Sequence, residues 1–316
     1  MIQGIGKYNM AKKRSGKPII IILISLLVLA AAWIGISLGL YAIYFGGRYE
    51  TNKFNMNHVE NFEGLERTRY EFKSDKGQTI VGYMYSTSES KKGIIVFAHG
   101  YGAGGHNSYM PSINYFAHNG YYVFAYDATG NDESGGKGIG GVPQGVIDLN
   151  YAVSFVEESG NFPDLPIALF GHSWGGYSVS NVLTYHPEVK AVIECSGPNS
   201  STDLIEGGGK QILGPFIYIV MPVIKIYERA NYGDYATNSA LDGFAATDAE
   251  IMVVHSSDDN VVPIEYGYDI YYEAFKYDPR FTFVRLEGKG HNMFLNVNNN
   301  AELYKSFVEF YDENLI

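Results

Sequence analysis

The sequence predicts an α/β protein: a mostly parallel, twisted sheet flanked by helices, preceded by one transmembrane helix. Three observations carry this reading. The stretch from Pro18 to Phe45 (PIIIILISLLVLAAAWIGISLGLYAIYF) contains no charged residue. From residue 93 onward, apolar runs of strand length recur, continuous rather than alternating, as suits strands buried on both faces of a parallel sheet. Segments with helical apolar spacing lie between those runs, and strand and helix in alternation specify an α/β architecture.

The chain of 316 residues is long enough for one large domain plus an appendage, and 46% of it is apolar. Its net charge of −11 hides an asymmetry. Lys7, Lys12, Lys13, Arg14 and Lys17 form a tail without acids; removing these five from the 23 basic residues leaves 18 against 34 acids. So acidic a body repels nucleic acid and offers no basic stripe for phosphates. The single cysteine, Cys195, excludes an intramolecular disulfide and a cysteine-based zinc site. It lies in the apolar run Ala191–Cys195 and reads as a buried strand thiol.

Residues 1–17 read as a basic cytoplasmic tail and 18–45 as the span. As a helix, that span would reach ~42 Å, enough to cross a ~30 Å hydrocarbon core with tilt. Tyr41 and Tyr44 fall where an interfacial aromatic belt belongs. The alternative is a signal peptide cleaved near Ala30-Ala31-Ala32, but the apolar stretch runs well beyond the 7–15 residues of a signal core. With the basic cluster ahead of the span, the expected arrangement is single-pass in the cell membrane, N-terminus cytoplasmic and body outside.

Residues 46–65 read as a polar linker, and 66–316 as the folded domain. Thr68–Lys73 and Thr79–Ser86 alternate around Ser74-Asp75-Lys76-Gly77, an antiparallel hairpin. Buried strands follow at Gly93–Ala98, Tyr121–Tyr126, Ile167–Phe170, Ala191–Cys195, Ile251–His255 and Phe281–Leu286. Residues 199–249 separate two strands by more than a crossover needs. That interval holds Phe216–Ile226, interrupted by Pro222 as a helix breaker, and reads as a lid insertion at the ligand-binding end of the sheet. Gly136–Gly141 fits G-x-G-x-x-G without a strand directly before it, and Gly207-Gly208-Gly209-Lys210 lacks phosphate-loop spacing. Both are expected to be flexible loops.

Ile167–Phe170 runs straight into Gly171-His172-Ser173-Trp174-Gly175-Gly176, with helical spacing after it. This is G-x-S-x-G between strand and helix. The sharp turn lifts the Ser173 hydroxyl clear of the sheet, and small neighbours permit the turn. The helix N-terminus then favours negative charge on an attacked substrate.

On these residues the chain resembles the α/β-hydrolase superfamily, especially its serine esterase, lipase and aminopeptidase-like branches, over about residues 66–314. The resemblance implies the chain order Ser, acid, His. His291, in Gly288-Lys289-Gly290-His291-Asn292 after the last strand, is the expected base. The acid is Asp258 or Asp259, and counting back from Val262-Pro263 in the family's loop pattern places it on Asp259, although Ser256 stands where that pattern has glycine. The oxyanion donors implied are the backbone N–H groups of Trp174 and of Tyr101 in His99-Gly100-Tyr101. His99 is expected to pack under its loop, and Asp127 and Ser134 to shape the floor of the site.

The expected function is hydrolysis of a carboxylic ester, thioester or amide through an acyl-enzyme, on a small acyl substrate or a short peptide, without cofactor or metal. An extracytoplasmic peptidase of the aminopeptidase-like type is the alternative within the enzymes, and a non-catalytic membrane scaffold the alternative outside them.

Overall fold

The computed structural model describes residues 17–54 and 56–315. Lys7, Lys12, Lys13 and Arg14 of the basic tail therefore lie outside the described residues. Helix α1 spans Lys17–Phe45. Its side chains are exposed from Ile19 to Ile36, and then Ser37, Tyr41 and Phe45, four apart on one helical face, become buried against the body.

The hairpin forms at the expected positions, β1 (Glu66–Lys73) pairing antiparallel with β2 (Thr79–Ser86). Six further strands follow: β3 (Ile94–Ala98), β4 (Tyr122–Asp127), β5 (Ile167–His172), β6 (Ala191–Cys195), β7 (Glu250–Ser256) and β8 (Phe281–Leu286). They make one eight-stranded sheet in the order β1-β2-β4-β3-β5-β6-β7-β8. All pairings from β4 to β8 are parallel. The chain leaves β3 for β4 on one side and returns to β5 on the other. The topological switch point, where open α/β sheets bind ligands, therefore lies at the C-terminal ends of β3 and β5.

Helices cover both faces. α2 (Met110–His118) and α10 (Ala301–Asn314) pack on one face, where Ile95, Phe97 and Phe170 meet Phe116, Phe307 and Tyr311. α3 (Gln144–Glu158), α4 (Trp174–Asn181), α8 (Ala240–Ala246) and α9 (Tyr268–Phe275) cover the other. There Ile94, Val96 and Leu169, alternating with the first set along their strands, meet Val153, Tyr177 and Phe244.

The 199–249 interval is mostly helical: α5 (Ser201–Leu213), α6 (Ile217–Tyr232), the short α7 (Asp234–Thr237) and α8. Two local expectations are corrected here. Gly207–Gly209 is not a loop but the interior of α5, where a Cβ on Gly209 would stand 2.4 Å from Ile217 Cδ1. Gly209 lets α5 and α6 approach closely, at the cost of helix propensity. Pro222 does not break its helix; α6 runs through it, and the proline removes only the amide that would have met the Tyr218 carbonyl. α8 belongs to the core rather than to a lid, since Ala240 and Phe244 are fully buried. The insertion above the sheet is thus the α5–α6 hairpin.

Candidate active site

The parallel strands deliver their following loops to one edge of the sheet. β5 ends at His172, and Ser173 takes φ 58° and ψ −117°, a strained conformation for a side-chain-bearing residue. The glycines around it are sterically required. A Cβ on Gly171 would stand 2.2 Å from the Gly175 carbonyl oxygen, and one on Gly175 2.0 Å from that of Ala98. The elbow is pinned by Ser173 N–H to the Cys195 carbonyl (2.8 Å) and by Tyr177 N–H to the Ser173 carbonyl (2.9 Å).

Ser173 Oγ lies 2.9 Å from His291 Nε2, and His291 Nδ1 lies 2.7 Å from Asp259 Oδ2. The loops after β5, β7 and β8 thus bring together the three residues expected from the sequence. Asp259 Oδ1 accepts the N–H groups of Val261 (2.8 Å) and Val262 (3.0 Å), and His255 Nε2 is 3.3 Å from Oδ2. Burial pushes this carboxyl's pKa upward, but the bonds from His255, His291 and the backbone outweigh it and hold it well below the carboxylate range. Asp258 instead accepts from Ser256 Oγ (2.5 Å) and Gly290 N–H (3.1 Å), bracing the two loops against each other. Between the two acids left open by the sequence, Asp259 is the one that meets His291.

Ala98 at the end of β3 pairs with Gly171 of β5, so Tyr101 and Trp174 follow adjacent strand ends. Neither backbone N–H has a hydrogen-bond partner among the described residues; that of Trp174 is one of the orphan donors of a helix N-terminus. His99 is buried, its Nδ1 bonded to the Gly100 carbonyl (2.8 Å) and its Nε2 accepting from Ala128 N–H (2.9 Å). It packs under the loop, as expected. Ser134 Oγ accepts from Val81 N–H (2.8 Å) and Asp127 receives His106 N–H (3.0 Å), so both brace the loop after β4, and neither lines the cavity over Ser173.

His172 stands at the first variable position of G-x-S-x-G, which carries no chemical signal of its own. The structure makes it a brace. Gly100 N–H donates to Tyr109 Oη (2.9 Å), that hydroxyl donates to His172 Nδ1 (2.9 Å), and His172 Nε2–H donates to the His291 carbonyl (2.9 Å). Burial, and then the neighbouring His291, push its imidazole down to about 3, so it stays neutral. One side chain therefore ties the Gly100-Tyr101 loop to the His291 loop. No local pattern could have revealed this, because the contact spans 119 residues.

Above Ser173 opens a cavity of about 410 Å³. Tyr101, Ser173 and His291 form its floor, Ile205, Ile217 and Val220 of the α5–α6 hairpin form one wall, and Leu40 and Phe45 of α1 form another. Among the described residues, no carboxylate lines it. The arrangement can deprotonate a hydroxyl beside two free N–H donors within an apolar chamber.

A family described as serine aminopeptidase, S33 matches residues 89–238, a span that includes Ser173 but neither Asp259 nor His291. A monoacylglycerol lipase of Mycolicibacterium smegmatis is 29% identical over 134 residues, covering 42% of this chain and 47% of that protein. The chain thus spans about half the length of the curated relative it matches. Among solved structures, an esterase of Pyrococcus furiosus superposes with a TM-score of 0.66 at 16% identity, over 85% of this chain and 98% of the esterase. An acylaminoacyl peptidase of Pyrococcus horikoshii gives 0.60 at 17% identity, over 81% of this chain and 43% of the peptidase. The chain therefore has the fold of the α/β hydrolases, and over residues 89–238 it is similar to the family described as serine aminopeptidase, S33.

Proposed function

We propose that this chain hydrolyses carboxylic esters with Ser173 as nucleophile, His291 as base and Asp259 as the acid that orients it. The observation that carries the reading is the continuous hydrogen-bonded line from Ser173 Oγ through His291 to Asp259 at the floor of an apolar cavity. Ser173 Oγ adds to the ester carbonyl while His291 Nε2 takes its proton. The carbonyl oxygen gains the negative charge and is received by the N–H groups of Tyr101 and Trp174. Collapse expels the alcohol, which takes the proton from His291 and leaves an acyl-serine. Water repeats the sequence, freeing the acid and restoring the serine.

Esters are favoured over the N-terminal amides of peptides by the cavity lining. An aminopeptidase must hold an α-ammonium group, and a cavity without carboxylates supplies no counter-charge. The monoacylglycerol lipase relative points the same way. A membrane anchor at α1 belongs to this proposal, supported by its apolar length and by the exposure of every side chain from Ile19 to Ile36.

The test is activity-based labelling of the full chain. A fluorophosphonate probe is expected to label it, and Ser173→Ala to abolish labelling while the circular dichroism spectrum stays unchanged. Labelling that survives the substitution would refute the assignment. A panel of p-nitrophenyl esters and aminoacyl p-nitroanilides then separates the bonds, with turnover expected on the esters.

A further inference from the structure

α1 does more than end near the body. Its last turns are bound to the same elements that build the site. The Tyr41 hydroxyl donates to Glu228 Oε1 of α6 (2.6 Å), and Ser201 of α5 donates to Oε2 of the same carboxylate (2.5 Å). The Tyr44 carbonyl accepts from the Tyr101 hydroxyl, and Tyr49 Oη lies 2.6 Å from Tyr101 Oη. The Arg48 guanidinium holds the carbonyls of Asp132 (2.8 Å), Ser134 (3.0 Å) and Gly136 (2.7 Å). Leu40 and Phe45 face the cavity that contains Ser173. A simple tether requires none of these contacts.

The position of a bilayer follows from lengths. Trp33 Nε1 donates to the Ile219 carbonyl (2.7 Å) and Tyr41 reaches Glu228, so α1 and α6 run parallel. Exposed Ile19–Ala32, lying short of the first of these contacts, covers ~21 Å at 1.5 Å per residue, about 9 Å less than a hydrocarbon core. Crossing the remainder takes the next six residues, to about Leu38, and tilt only extends the requirement. Those residues lie beside the start of α6. The connection Gly214–Phe216 is therefore at hydrocarbon depth.

The hairpin has the surface for that position. No charge occurs between Lys210 and Lys225, and within that run Ile212, Phe216, Tyr218 and Ile219 are exposed, Phe216 by 68%. Lys225 stands three residues before Glu228 on α6, level with Leu38 on the parallel α1, where the length argument puts the boundary and where a lysine meets headgroups. Lys210 precedes Gln211, whose amide donates to the Asn260 carbonyl, and so stays beside the body.

We infer that the end of α1 and the α5–α6 hairpin together form an acyl-chain site open to the outer leaflet, which admits a long-chain lipid ester laterally from the bilayer to Ser173. The inference rests on the ester-hydrolase reading. Leu40 and Phe45 of the anchor and Ile205, Ile217 and Val220 of the hairpin clasp the chain, while the ester group lies at the floor, on the aqueous side of the boundary at Leu38. The anchor is a component of the substrate site.

Two arms test this with the full chain in phosphatidylcholine–phosphatidylglycerol vesicles. Cys195 is buried, so Phe216→Cys provides a single reactive thiol for an environment-sensitive fluorophore, with Tyr277→Cys, at a position 91% exposed on the body, as reference. Residue 216 is expected to be quenched several-fold more by doxyl groups on lipid acyl chains than by aqueous iodide, and residue 277 the reverse. Iodide-dominated quenching at residue 216 would overturn the immersion. In the second arm, Leu40→Trp is expected to lower kcat/KM for p-nitrophenyl palmitate at least tenfold more than for p-nitrophenyl acetate. Equal losses on both esters would overturn the anchor's part in the acyl site. Lipid quenching at residue 216 of the labelled Phe216→Cys chain, combined with hydrolysis of neither ester by the unsubstituted chain, would instead refute the ester reading, and with it the lipid substrate.

Discussion

Asp259→Asn tests the proposed chemistry at its most constrained atom. Asp259 Oδ1 accepts two backbone N–H groups, from Val261 and Val262. An asparagine must keep its oxygen there, because a flipped amide would point its own hydrogens at those donors. Its NH2 group then replaces Oδ2, facing His291 Nδ1 at 2.7 Å. Nδ1 must accept from that group, so the ring's proton moves to Nε2, the nitrogen 2.9 Å from Ser173 Oγ. A protonated Nε2 cannot take the serine's proton. Enforcing the wrong tautomer in other Ser-His-Asp systems costs about 10⁴ in kcat, close to 5 kcal/mol of barrier. We expect a loss of three to four decades in kcat on p-nitrophenyl butyrate, with an unfolding midpoint within a few degrees of the parent. Asp258→Asn, which alters only the Ser256 and Gly290 contacts, is expected to cost less than tenfold. A kcat for Asp259→Asn within tenfold of the parent, or a larger loss from Asp258→Asn, would refute the reasoning.

Three other perturbations read different parts of the structure. His172→Phe keeps an aromatic ring but leaves the Tyr109 hydroxyl without its acceptor and the His291 carbonyl without its donor; kcat is expected to fall ten- to a hundredfold, with little change in KM for a short ester. Glu194 on β6 is fully buried, only one of its oxygens has a partner among the described residues, and burial pushes it up to about 8. Between its ordinary carboxylate range and pH 8 the folded chain holds a proton that the unfolded chain releases, so stability falls as pH rises through that window by up to about 1 kcal/mol per unit. Denaturant titrations should show Glu194→Gln flattening this slope, and identical slopes would remove Glu194 as its source. Protease added to intact cells should digest the hydrolase domain and leave a short membrane-protected fragment, whereas a fully protected domain would reverse the proposed orientation.

The parts of this fold that were legible in the sequence are those decided by neighbours along the chain. The hairpin registers as Lys73 against Thr79 because the turn between them is short, and the buried strands declared themselves as unbroken apolar runs. Ser173 and His291 were legible because each follows a strand within a few residues, so strand ends alone bring them to one edge. What escaped was decided across the chain. Gly207–Gly209 looks like a loop until Ile217 is placed against Gly209. Pro222 looks like a break until α6 is seen to give up one bond and keep its packing. Residues 46–51 read as a polar linker, yet the Gly47 and Gly130 carbonyls receive the N–H groups of Ile139 (3.1 Å) and Tyr49 (3.0 Å), fixing that stretch to the loop after β4. The braces His172 and His255 carry no motif, because their work is defined by partners rather than by spacing.

The buried contacts at the end of α1 divide one helix between two kinds of natural selection. From Ile19 to Ala32 any sufficiently apolar residue preserves the exposed surface, and that stretch is free to drift among leucine, isoleucine, valine and alanine. Ser37, Tyr41 and Phe45 are held by shape and by a hydroxyl aimed at a buried carboxylate, and they should change only in step with α6. Related chains that exchanged this helix for an unrelated anchor would need a remodelled hairpin as well, so the two segments should be inherited as one unit although more than 150 residues of sequence separate them.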